Sequence, residues 1–142
     1  MRVFLDTNIL ISAILFPGSR VADFLRVAIE RHTMVLSSFV LEELYEVFGQ
    51  KFAENILDLE EFLNDFAYDL IHTPRNIDSG KYPEIRDIDD LPIIASAILG
   101  DCDFLVTGDK DVLSVRLERP RILSPAEFMD MGDDDMFEDP GE

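Results

Sequence analysis

Residues 3–10 read Val3-Phe4-Leu5-Asp6-Thr7-Asn8-Ile9-Leu10: a short apolar strand, a carboxylate at its end, and the start of a helical turn. That turn runs from Ile9 to Phe16 and is stopped by Pro17-Gly18. Working outward, the same alternation recurs. Ser19 caps a helix to about Arg31 with Val21, Phe24, Leu25 and Ala28 on its apolar face, and Met34-Val35-Leu36 is a second strand. Ser37 or Ser38 caps a helix that carries Phe39, Val40, Leu44, Val47 and Phe48 inward. Residues 50–68 read as two helical pieces broken near Leu57-Asp58, and Asp69 to His72 as a third strand closed by Pro74. The polar stretch 75–89, with Gly80 and Pro83, reads as a loop. A helix from about Asp89 to Leu99 tolerates Pro92 in its first turn and ends near Gly100. Phe104-Leu105-Val106 and Arg121-Ile122-Leu123 complete the strands, and Ser124-Pro125-Ala126-Glu127 opens a last short helix. Strands alternating with helices predict an α/β fold, a central parallel sheet of four to five strands with helices on both faces. No repeat or linker divides the chain, so one domain is expected over 1–130, followed by an acidic tail, 131–142, expected to be disordered.

The 142 residues are 47% hydrophobic, the profile of a soluble globular chain. No apolar run approaches the roughly 20 residues that span a bilayer, so no membrane partner is expected. Asp6 stands where a signal peptide would still be apolar, which makes the cytoplasm the expected location. Cys102 is alone, which excludes an internal disulfide and a cysteine-based zinc site. Thirty acids against twelve bases give a net charge of −18, a poor match to simple electrostatic binding of nucleic acid. Part of the excess is local: Asp130, Asp133, Asp134, Asp135, Glu138, Asp139 and Glu142 share the last thirteen residues with no base, yet the body is acidic without them. Charge alone points to a basic protein partner or to metal binding.

Four carboxylates stand out. Asp6 ends the first strand, and Asp109 follows the fourth in Val106-Thr107-Gly108-Asp109-Lys110-Asp111. In a parallel sheet both fall on the edge where ligands bind. Each also fits a plainer role, Asp6 as a helix cap and Asp109 as a turn residue. Glu43 has Phe39, Val40 and Val47 three or four residues away and so lies beside the apolar stripe, whereas Glu42, with Glu46 four residues on, belongs to the wetter side. Asp90 is followed by Ile93, Ile94 and Ala97 on one inward face, and it too could be a cap, while Asp87 and Asp89 suit loop and capping roles. Gathered in one pocket, four such groups would raise one another's pKa values unless a divalent ion neutralised them. All-oxygen ligands suit Mg²⁺ or Mn²⁺. Zinc is not expected, since His32 and His72 are forty positions apart. A cation would also bridge an acidic protein to an acidic substrate.

These residues resemble the PIN-domain nucleases. The likeness lies in residues 3–10, in Leu41-Glu42-Glu43-Leu44, in Asp87-Ile88-Asp89-Asp90 with its Ala95/Ala97 helix, and in residues 106–111, in the family's order and over about residues 1–130. Phe16-Pro17-Gly18-Ser19 and Ser124-Pro125-Ala126-Glu127-Phe128 resemble the branch of toxin components of toxin–antitoxin systems. The resemblance implies a three-layer α/β/α sandwich whose Asp6, Glu43, Asp90 and Asp109 bind one or two Mg²⁺ or Mn²⁺ ions and are catalytic. Asp111 would be a further or second-metal ligand, and Asn8, Ser12 and Thr107 would orient substrate or ligands. It implies an endoribonuclease acting on single-stranded RNA, with an antitoxin partner and a homodimer. Lys110 and Arg86 are near the ligands in sequence and are candidates for phosphate contacts. A phosphohydrolase of the haloacid-dehalogenase type would need an aspartate where Asn8 stands. The alternative is a catalytically weak or inactive PIN-like domain that acts as a protein-binding module.

Overall fold

The computed structural model describes residues 1–131. β1 (Arg2–Leu5) lies at the centre of a five-stranded sheet ordered β3-β2-β1-β4-β5, with β2 spanning Thr33–Ser37, β3 Tyr68–Ile71, β4 Phe104–Val106 and β5 Arg121–Leu123. Every pairing is parallel. Val3, Phe4 and Leu5 are fully buried although successive side chains point to opposite faces, so helices cover the sheet on both sides. The first three strands add outward in one direction; the chain then returns to place β4 on the other flank of β1. The topological switch point therefore lies between β1 and β4, and a crevice opens there at the C-terminal edge of the sheet.

The helices start where the sequence offers caps. α1 (Thr7–Leu15) is capped by Asp6, α2 (Arg20–Arg31) by Ser19 and α3 (Ser38–Lys51) by Ser37. α7 (Pro125–Asp130) has a full capping box between Ser124 and Glu127. The break expected at Leu57-Asp58 is instead at Phe52, where α3 ends and a single 3₁₀ turn (Ala53–Asn55) leads into α4 (Ile56–Asp65). Leu59, fully buried on α4, anchors the helix across the expected break. The polar stretch 75–89 contains two 3₁₀ turns, Ser79–Lys81 and Ile88–Asp90, and the second delays the start of α5 to Leu91–Leu99. A four-residue helix, α6 (Lys110–Leu113), was not expected; it is too short to show a periodic apolar face. Most of the acidic tail, 132–142, lies outside the described residues.

The core is built from large apolar side chains, among them Phe4, Phe24, Phe48 and Phe128. α2 packs on β2 and on α7, and α3 on α1, α4 and α5. Phe128 packs edge-on to Phe24 of α2 and to Phe104 at the start of β4. Among the described residues no single helix is long and apolar enough to cross a membrane. Since Phe128 joins the last helix to the core, Phe128→Ala should destabilise the protein by about 3–5 kcal/mol, read from the urea midpoint. A loss under about 1 kcal/mol would show that α7 is an appendage.

Candidate active site

Asp6 is the residue at which β1 becomes α1. Its N–H donates to the Val106 carbonyl at 3.0 Å, which continues the β1–β4 ladder by one rung. Its carboxylate is buried and held at both ends. Oδ1 accepts from the Thr7 N–H at 2.7 Å, and Oδ2 accepts from the Thr107 hydroxyl at 2.7 Å. Thr107, the residue after β4, is fully buried, and its oxygen also accepts from the Asp109 N–H at 3.0 Å. One hydroxyl thus sets Asp6 against Asp109 across the switch point. Asn8 fastens the same turn from the other side, its Oδ1 accepting from the Gly108 N–H at 3.2 Å.

Glu43 arrives from α3 and is half-buried, while Glu42 is exposed, as their positions on the helix predict. The Thr7 hydroxyl donates to Glu43 Oε1 at 2.5 Å. Asp90 comes from the other side of the crevice. It occupies the N-cap position of α5, yet its backbone is helical (φ −87°, ψ −7°) and its side chain caps nothing. The capping role in this segment falls to Asp87, whose Oδ1 accepts from the Asp89 N–H at 3.0 Å. The Asp90 carboxylate is therefore free for another purpose, and its buried Oδ2 has no hydrogen-bond partner among the described residues.

Asp6, Asn8, Glu43, Asp90 and Asp109 all line one pocket of about 200 Å³, with Phe39, Val47 and Ile93 as its apolar wall. Among the described residues the tightest acidic group is Asp90, Asp109 and Asp111, which can each place a carboxylate oxygen within 4.8 Å of the others. Asp6 and Glu43 line the same pocket outside that group. Ser12, a turn further along α1 than Asn8, does not line it. Two contributors were missed. Thr7 holds Glu43, a pairing across thirty-six positions that no local pattern announces. Asp89, read as a loop or capping residue, lines the pocket beside Asp90.

The electrostatics are strained. Burial raises the Asp6 carboxyl above the usual range, the charges of Glu43 and Asp109 add to the rise, and the Thr107 and Thr7 hydrogen bonds oppose it. Asp90 is pushed up to about 6, first by burial and then by the charges of Asp109, Asp87, Asp6 and Asp111. A carboxyl whose folded pKa lies above its unfolded value stabilises the fold below the unfolded pKa, and that stability is lost as pH rises through the folded one. The metal-free protein should therefore melt higher at about pH 5 than at about pH 7.5. Asp90→Asn should raise the melting temperature at the higher pH and reduce the difference, because a neutral amide ends the repulsion. Thermal melts in chelator check both, and a flat pH response would contradict this picture.

The sequence model of the PIN domain matches residues 2–111. Among solved structures, a chain of the crystal structure of VapBC2 from Rickettsia felis bound to a DNA fragment from their promoter is similar in fold. Its TM-score is 0.64 at 24% identity, over 87% of this chain and 97% of that one. No curated protein matches the sequence.

Proposed function

The chain belongs to the PIN-domain family, and from that premise we propose that it is a divalent-metal-dependent endoribonuclease cleaving single-stranded RNA. The observation that carries the proposal is the Asp90 carboxylate: half-buried, capping nothing, its buried Oδ2 without a partner among the described residues, and close to Asp109 and Asp111. A bound cation would relieve both its desolvation and the repulsion from its neighbours. The donors are all carboxylate oxygens, which fits Mg²⁺ or Mn²⁺. In this reading Asp6, Glu43, Asp90 and Asp109 hold one or two ions, with Asp111 as a further ligand. When bound, such an ion acidifies water and offsets charge building on a phosphodiester.

The protein's own part is positioning. Thr107 holds Asp6 and the Asp109 backbone in one arrangement, Thr7 holds Glu43, and Asn8 holds the Gly108 turn. Fixing these groups in advance spares reorganisation during the reaction. The apolar wall of Phe39, Val47 and Ile93 limits water on one side of the pocket.

We further read the enzyme as a cytoplasmic toxin restrained by an antitoxin and able to form a homodimer. Its two toxin-like motifs support this, as does its fold likeness to a chain of VapBC2, a structure that holds promoter DNA. The net charge of −18 favours one competing reading, a PIN-like domain that binds protein and cleaves nothing. Purified protein with single-stranded RNA and Mn²⁺ separates the two. Cleavage should stop in excess chelator, and Asp6→Asn or Asp109→Asn should lower turnover by about 100-fold or more. Cleavage that survives chelator or Asp6→Asn contradicts the assigned site, and intact RNA with wild-type protein favours the binding module.

A further inference from the structure

Two cavities adjoin the acidic pocket, one through a shared wall and the other through an ion pair. One lies past β2 and β3, formed by Ser38, Phe39 and Glu42 at the start of α3 and by His72 to Arg75. The acidic pocket follows at β1 and β4. The other lies beyond β4, where Pro83 to Arg86 of the loop before α5 meet Ser114 and Arg116 after α6. Phe39 is a wall of both the first cavity and the acidic pocket. Arg86 Nη1 is 3.8 Å from Asp111 Oδ1, which joins the third space to the acidic group. The shared Phe39 and the Arg86–Asp111 pair make both cavities immediate neighbours of the acidic group, within reach of an adjoining nucleotide.

The chemistry of the two cavities differs. The Arg86/Arg116 cavity, about 570 Å³, holds two guanidinium groups beside Glu84, with Arg86 also facing Asp111 at its rim. Arg116 makes no ion pair among the described residues. Guanidinium forks match phosphate oxygens in pairs. The His72/Arg75 cavity, about 410 Å³, is lined by the rings of Phe39, His72 and Pro74 with Glu42 and Arg75, and Arg75 is also without an ion pair among the described residues. Its floor is fixed. The Thr73 N–H donates to Ser38 Oγ at 2.9 Å, Thr73 Oγ1 accepts from the Phe39 N–H at 3.2 Å, and the same oxygen bonds to buried Ser96 Oγ at 2.9 Å. Aromatic faces on a rigid floor beside a cation suit a stacked base and its phosphate. In a chain of net charge −18, local cations of this kind have to hold a polyanion.

We propose that single-stranded RNA crosses the acidic pocket from one cavity to the other, one flanking phosphate held by Arg86 and Arg116 and a base on the other side laid against Phe39 and His72 with its phosphate on Arg75. The proposal rests on the nuclease reading above and deepens it by assigning the substrate's path. The test uses the full chain and a fluorescein-labelled single-stranded RNA of about twelve nucleotides. Affinity is read by anisotropy with Ca²⁺ in place of Mn²⁺, and kcat and KM by cleavage in Mn²⁺. Arg75→Ala and Arg116→Ala should each raise Kd and KM about three- to tenfold with kcat nearly unchanged. Each should also shrink the salt dependence of binding by about 0.7 in log–log slope. His72→Ala should weaken binding and His72→Phe restore it, a rescue that a structural role would not give. Lys51→Ala, at the far end of α3, is the control and should bind as wild type. Wild-type cleavage with unchanged Kd in both arginine variants, or an equal loss in Lys51→Ala, overturns the path and leaves the nuclease reading standing. Binding that depends on Arg75 and Arg116 without cleavage does the reverse. A chain that neither binds nor cleaves RNA overturns both and leaves the acidic face to a basic protein.

Discussion

Carboxylates brought together at the rim of an apolar sheet repel one another and lose hydration at the same time, and the rest of this molecule is arranged around that strain. Six acids from four separate segments surround one crevice: Asp6, Glu43, Asp89, Asp90, Asp109 and Asp111. Hydrogen bonds ease part of the strain. Asp6 has a partner at each oxygen, and Glu43 has the Thr7 hydroxyl. Asp90 retains an unpartnered oxygen, and its pKa of about 6 expresses the remainder. Buried charge of one sign is tolerated in native folds when a function requires it, because stability elsewhere offsets the cost.

The offset comes from the core beneath. Val3, Phe4 and Leu5 of β1 are fully buried beside β4, so the point at which the two strands end is fixed by packing rather than by the acids themselves. From that fixed edge Thr107 reaches Asp6 and the Asp109 backbone, and a small set of short-range contacts defines the crevice. α5 then delivers Asp90 from the opposite side, with buried Ile93 and Ile94 setting its orientation. β1, β4, α1, α3 and α5, which frame the site, all contribute residues to the core.

Much of this was legible in the sequence. Residues 3–10 and 104–109 announce strand, turn and acid in the order the fold uses, because apolar runs and caps are local signals. The placement of Glu43 inward of Glu42 followed from helical spacing alone. What stayed hidden depended on contacts between distant residues. Asp90 read equally well as a helix cap, and only its backbone angles and the bond between Asp87 and Asp89 take that role away. The closeness of Asp111 to Asp90 and Asp109 was also hidden, since it depends on α6, and a four-residue helix leaves no periodic trace. Likewise the break after α3 fell at Phe52, where burial of Leu59 outweighed the local polarity of Asp58.

A crevice built around a divalent cation should show that ion in an anomalous difference map from crystals grown with MnCl₂, without reference to any substrate. The account predicts a peak between Asp90 and Asp109, about 2.1 Å from carboxylate oxygens that include the buried Asp90 Oδ2. A map with manganese only at surface carboxylates, and with the Asp90 oxygen still unpartnered, would contradict it.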